Sequence, residues 1–384
     1  MRIKTILRCN ARFSTPILNP SLGTQVCCII TRFFCHKAEH FRALSYEWGP
    51  PAPQHSIFVN GYALSIRENL YHFLQTVQRD SEFCRDTVLF IDQICVDQSN
   101  VEERNHQVSQ MATIYSSAQQ VIIWLGRESS ESIAFVQGFS RCRESGESLA
   151  PGQEFLAFLP VPLEARLAMY ELLASQTYWN RLWILQEVLL AKNLMLFWGA
   201  SRLAWNDLTT FLFVSLLRQH LQNCRNHTTA PVKRRGLEMI RIARETRLAG
   251  VTYNWTWHQA IIFSQGSQCE DRRDKIFGLL GLIDRRSRII PDYSKPLEDV
   301  FVEIVELEAL RIPDPEQYKE TEDLWRKELG IAEGVELPYI PFYLREEMPV
   351  DEVLSDTGAD IGGTIFECDC GNCEHCGSID RTGG

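Results

Sequence analysis

Between residues 87 and 126 the sequence changes period twice. TVLFID (87–92) is a short apolar run of the kind that forms a buried strand, and the segment 101–118 sets Val108, Met111, Ile114 and Tyr115 on one helical face. QVIIWLG (120–126) is then a second apolar strand ending in glycine. Two strands joined through a helix of this length pair in parallel, with the crossover helix lying on the sheet. The expected fold is therefore α/β: a parallel sheet core flanked by helices.

The flanking segments fit this frame. FRALSY (41–46) is an apolar strand stopped by WGPPAP, and SIFVNGYALSI (56–66) is a hairpin turning at Asn60-Gly61. Asn69, Leu70, Phe73, Leu74 and Val77 mark an amphipathic helix. After a polar insertion near 127–153, helical patterns cover 163–175, 179–191, 205–222, 234–247, 256–265, 274–282 and 296–311, interrupted by one strand, LMLFWG (194–199). Asp271 and Asp274 stand at the cap and third positions of the 274–282 helix, and Ser294 with Pro296, Glu298 and Asp299 starts the helix after it. Beyond residue 312 the periodicity fades.

At 384 residues, 45% hydrophobic and 23% charged, the chain can bury a substantial core. Its apolar runs are all shorter than the ~20 residues of a membrane-spanning helix. The first 38 residues hold six Lys or Arg and no Asp or Glu, as in a transit peptide, but QVCCIITRFFC within them reads as a strand of the fold. The net charge is −10; residues 313–384 hold 18 acids against 5 bases, or −13, so the rest carries +3. That near-neutral globular part offers no electrostatic case for nucleic acid. Thirteen cysteines, mostly single within apolar stretches, fit a reduced, cytoplasmic protein rather than a disulfide scaffold.

Three segments gather polar and aromatic residues where apolar strands end. They are Ser45-Tyr46-Glu47-Trp48, the run Asp92-Gln93 to Asp97-Gln98, and the helix carrying Trp183 and Glu187. Ligands of open parallel sheets bind outside the carboxyl ends of the strands, so the first two segments should flank one crevice.

ALSYEWG (43–49), the run FIDQICVDQSNVEERNHQVSQMATIYSSAQQVIIWLG (90–126), YWNRLWILQEVLLA (178–191) and RRDKIFGLLGL (272–282) resemble successive blocks of the fungal heterokaryon-incompatibility (HET) domain. The resemblance covers about 25–311. It implies a domain core at 25–200 and a helical extension at 201–311, preceded by a segment at 1–24 and followed by an acidic, partly disordered tail at 312–384. It also implies allorecognition and programmed cell death, self-association, an incompatibility partner protein, and a fold remotely like the TIR or flavodoxin sheet. Many TIR domains cleave NAD with a glutamate four residues after a tryptophan, the spacing of Trp183-Ile184-Leu185-Gln186-Glu187 with Ile184 in the usual cysteine position.

On that likeness Glu187 is the catalytic candidate and NAD its substrate. Ser45, Tyr46, Trp48, Asp92, Gln93, Asp97, Gln98 and Trp183 are the ligand-binding candidates. A desolvated carboxylate hydrogen-bonded to ribose hydroxyls would stabilise an oxocarbenium-like transition state, as glycosidase carboxylates do. The competing reading pairs Glu187 with Arg181 or Arg272 as a helix lock. Asp92 and Asp97 either hold a divalent metal or order the loop beside the Asn100 cap. Glu103 and Gln107 read as a solvated i,i+4 pair, and His106 as a surface histidine. Cys368, Cys370, Cys373 and Cys376, in CDCGNCEHC, either bind zinc or form an oxidation-prone tail. The functional alternative to an enzyme is a signalling module that acts by self-assembly.

Overall fold

The computed structural model of the chain describes residues 2–9, 25–34, 41–80, 83, 87–146, 161–211, 235–248, 254–309, 311–312 and 314–332. They belong to two compact units, one drawn from 1–128, 177–202 and 244–350, the other from 129–176 and 203–243.

The first unit is built on a mixed sheet. Its strands are β1 (Arg2–Cys9), β2 (Cys27–Phe34), β3 (Phe41–Tyr46), β4 (Gln54–Val59), β5 (Tyr62–Arg67), β6 (Val88–Phe90), β7 (Gln120–Trp124) and β8 (Leu194–Trp198), with β9 (Ser201–Ala204) beyond β8. The order is β5-β4-β2-β1-β6-β3-β7-β8-β9. Strands β6, β3, β7 and β8 are mutually parallel, Phe41 opposite Val88, Tyr46 opposite Trp124 and Trp124 opposite Phe197. Counted from β3 their order is 2-1-3-4, so the winding reverses between β3 and β7, and a doubly wound sheet opens its crevice at such a reversal.

These strands are buried on both faces, which is why they read as continuous apolar runs. On one face Leu44, Tyr46, Ile122, Trp124 and Phe197 pack with Leu70, Phe73 and Leu74 of the Glu68–Gln78 helix. The strand period of two turns Ser45 to the opposite face, where it meets Tyr178 and Glu187. The hairpin turns as expected: Asn60 and Gly61 take φ of 51° and 85°, the left-handed pair of a type I′ turn.

The helix predicted over 101–118 is Val101–Ser117, with Asn100 Oδ1 accepting from Glu103 N at 3.0 Å as its cap. The 179–191 prediction holds only in part. A 3₁₀ turn at Thr177–Asn180 and a short helix at Ile184–Leu189 flank a break, because Gln268 N donates to Asn180 O and Leu182 N donates to Gln268 O. Those bonds divert the backbone from the helical ladder. Arg244 closes the far end, donating to Val188 O, Ala191 O and Lys192 O.

Several elements escaped the sequence reading, among them the Ser130–Gly146 helix, β9, β1 and a helix beyond residue 312. β1 pairs antiparallel with both β2 and β6. Pro315–Leu329 is a helix, N-capped by Asp314, opened by Pro315 and ended at Gly330 with φ of 65°. Its buried positions are Thr321, Glu322, Trp325 and Leu329; two of the four are polar, so no apolar run marks the helix. Residues 333–384, with Cys368, Cys370, Cys373 and Cys376, lie outside the described residues.

In the second unit the helices Ser130–Gly146 and Leu163–Ala174 accompany a cluster of Phe135, Phe139 and Phe211 rings, 5.9 to 6.1 Å between centroids. Among the described residues no helix is long and apolar enough to cross a membrane.

Candidate functional site

At the carboxyl end of β3 the sheet meets a buried polar network. Ser45, fully buried, donates from Oγ to Glu187 Oε2 at 2.5 Å and shares a hydrogen bond with the Tyr178 hydroxyl at 2.5 Å. Arg181 Nη1 lies 4.0 Å from Glu187 Oε2 and donates to Tyr46 O. Tyr115 anchors the same strand by donating to Leu44 O at 3.0 Å. Glu187 is 2% exposed, and burial pushes its carboxyl up to about 7 against the pull of Arg181, with Asp92 adding to the rise.

Beside this network opens a cleft of about 560 Å³, a size that holds a small organic ligand. Two indoles form walls, each fixed by a carboxylate. Trp48 Nε1 donates to Asp92 Oδ2 at 2.9 Å, and Trp183 Nε1 donates to Asp274 Oδ2 at 3.1 Å. Asp92 also accepts from Gln93 N at 2.7 Å, and Asp274 accepts from the Tyr293 hydroxyl at 2.5 Å. Burial raises both acids, Asp274 to about 6. Arg67 lies 5.0 Å over the Trp48 ring and forks onto Glu270 at 2.6 and 3.1 Å, holding that wall from outside.

The expected convergence of the β3 and β6 strand ends is present: Trp48, Asp92 and Gln98 share the cleft with Trp183. Tyr46 sits beneath it, its hydroxyl donating to Gln93 Oε1 at 3.3 Å. Ser45 and Glu187 do not line the cleft; Arg181, which does, lies 4.0 Å from Glu187. Asp97 is exposed and orders the next turn, accepting from Ser99 N at 3.0 Å and Ser99 Oγ at 2.6 Å. Asp92 is engaged by an indole and a backbone amide, and among the described residues no three His, Cys, Asp or Glu are placed to hold an ion.

Two sequence readings need correction, one on the 101–118 helix and one at Asp274. Gln107 is 2% exposed and lines the cleft, so it is no part of a solvated pair, whereas His106 is exposed as expected. Asp274 is a wall carboxylate at the first helical position rather than the third residue of a capping box, while Asp271 orders the preceding turn by accepting from Arg273 N.

Sequence reasoning missed Arg104, Gln107 and Tyr293 as cleft residues. Arg104 stacks 3.7 Å over the Tyr293 ring, and Asn105 beside it pins that loop by accepting from Tyr293 N at 2.8 Å. The available signal was spacing. Arg104, Gln107, Val108 and Met111 follow the i, i+3, i+4, i+7 rule of one helix face, and they line the cleft together.

A doubly wound α/β domain with a ligand-sized cleft at its strand ends is thus the class to which this chain belongs. Residues 41–187 match the family described as Heterokaryon incompatibility protein (HET). Heterokaryon incompatibility protein 6, OR allele, of Neurospora crassa is 38% identical over 110 residues, which are 26% of this chain and 16% of that protein. The chain carries a heterokaryon-incompatibility domain. The aligned stretch is thus about a sixth of the curated relative's length. No solved structure matches the chain.

Proposed function

We propose that this chain acts in fungal heterokaryon incompatibility and the cell death that accompanies it, and that its cleft binds NAD and hydrolyses it with Glu187. The observation that carries this reading is a buried carboxyl with its pKa raised to about 7, 4.0 Å from an arginine that lines an aromatic cleft. Indoles suit a base or nicotinamide ring, and carboxylates suit ribose hydroxyls.

Arg181 must move for the chemistry to occur. A ligand phosphate would draw its guanidinium into the cleft and leave Glu187 open to the ribose. The carboxylate would then stabilise positive charge at the anomeric carbon as the bond to nicotinamide breaks. Water adds at that carbon, giving ADP-ribose, free nicotinamide and one proton.

One observation favours a second reading. Glu187 already has Ser45 and Arg181 as partners and stands behind the cleft wall. On this reading the domain binds its ligand without turnover and signals by self-association with an incompatibility partner.

Nicotinamide release by the purified chain at high protein concentration separates the two. Turnover by the wild type, lost in Glu187→Gln with the fold retained, supports hydrolysis. Binding with no release, together with ligand-dependent assembly in sedimentation, supports the second reading.

A further inference from the structure

Two residues that line the cleft carry buried donors that no described residue satisfies. Gln107, 2% exposed on the Val101–Ser117 helix, lines the cleft, and no described residue lies within hydrogen-bond distance of its Nε2. One turn earlier, Arg104 also lines the cleft, with its buried Nε equally unpartnered. The guanidinium is not free to swing toward a partner, because it stacks 3.7 Å over the Tyr293 ring.

An unpaired buried amide donor costs stability, and such groups in folded proteins are ordinarily satisfied. Two such donors on residues lining one cleft, at i and i+3 of one helix, mark a place for an acceptor reaching in from the cleft. The surroundings decide which acceptor. Asp271 and Asp274 already act on Arg104, so an anion at this spot would meet repulsion, whereas the phosphates of the proposed ligand would lie toward Arg181. A neutral carbonyl oxygen has two lone pairs, matches two donors, and brings no charge.

We infer that Arg104 and Gln107 form a subsite for a carbonyl oxygen, supplied by the carboxamide of a nicotinamide or by the carbonyl edge of a pyrimidine base. The assignment deepens the proposed nucleotide binding and rests on it. It places the ring that carries the carbonyl beside Tyr293 and Met111, which line the cleft with them.

Calorimetry on the full chain with four probes tests this: NAD, nicotinamide mononucleotide, uridine monophosphate and ADP-ribose. Only the first three carry the carbonyl. Gln107→Leu keeps the side-chain volume and removes an amide that has no protein partner at Nε2. It should leave the melting temperature unchanged or higher and weaken the carbonyl ligands tenfold or more, with ADP-ribose unaffected. Gln107→Met serves if the leucine variant is poorly folded. If uridine monophosphate binds with this dependence and NAD does not, the subsite stands and the NAD reading falls.

Three results would overturn the subsite: a lower melting temperature with unchanged affinities, an equal loss for ADP-ribose, or no binding of any probe by the wild type.

Discussion

Ser45 Oγ donates to Glu187 Oε2 across 2.5 Å, and this contact ties the central strand to the helix whose carboxylate is the catalytic candidate. With Arg181 4.0 Å away, the three form a buried polar cluster whose members cannot be removed independently. Glu187→Ala leaves the guanidinium without its counter-charge and should cost about 3–5 kcal/mol in urea denaturation. Glu187→Gln keeps an acceptor for Ser45 and should cost under about 2 kcal/mol. Equal losses for the two variants would mean that charge plays no part in the cluster.

Stability should fall as pH rises from about 4 to 7. Glu187 is raised from 4.5 to about 7, Glu308 from 4.5 to about 7 and Asp274 from 3.8 to about 6, each chiefly by burial. An acid whose folded pKa lies above its unfolded value is bound to its proton more tightly in the native state. Its stabilising contribution is complete below the unfolded value and is lost as pH climbs through the folded one. The melting temperature should therefore be lower at pH 7.5 than at pH 5, with a shallower slope in Glu187→Gln. An unchanged slope in that variant would place the titration elsewhere.

The indole N–H groups pull the cleft acids down against the rise that burial imposes. Trp48→Phe removes the 2.9 Å donor from Asp92, and Trp183→Phe removes the 3.1 Å donor from Asp274. Each substitution keeps most of the ring's buried area, so stability should change by about 1 kcal/mol. The carboxyl that has lost its donor should titrate higher still, read by carbon NMR of labelled aspartate. Ligand affinity should fall in both variants, measured on the same samples.

Much of this arrangement was legible in sequence because apolar period and turn chemistry are local. The runs at 87–92 and 120–126 became parallel neighbours of β3, and Asn60-Gly61 became the hairpin tip. Trp48 and Asp92 were identified because strand ends in such sheets converge on one crevice, and Trp183 through the family resemblance. What stayed hidden depends on distant partners. The helix break at Arg181 is made by Gln268, and the wall carboxylate Asp274 is recognisable only through Trp183 and Tyr293. Gln107 lies on the buried face with Val108 and Met111, but a glutamine after two acids reads as solvent-facing until its neighbours are known.

Gln186, the polar neighbour of Glu187, is a structural clamp rather than a site residue. Its Oε1 accepts from Gly281 N at 2.9 Å and its Nε2 donates to Phe277 O at 3.3 Å, so one side chain ties the turns after Asp274–Phe277 to the Ile184–Leu189 helix. The close approach requires glycine at 281. A Cβ there would stand 2.2 Å from Gln186 Oε1, 2.7 Å from Ala112 Cβ and 2.9 Å from Leu190 Cδ1. Three neighbours at such distances cannot all retreat in a close-packed interior. Gly281→Ala should therefore destabilise by about 1–3 kcal/mol, the range for overpacking. Gln186→Leu should cost a similar amount through the unpaired Gly281 amide. In the double variant the two losses should fall short of their sum, since both break one contact, and full additivity in urea denaturation would refute the clamp.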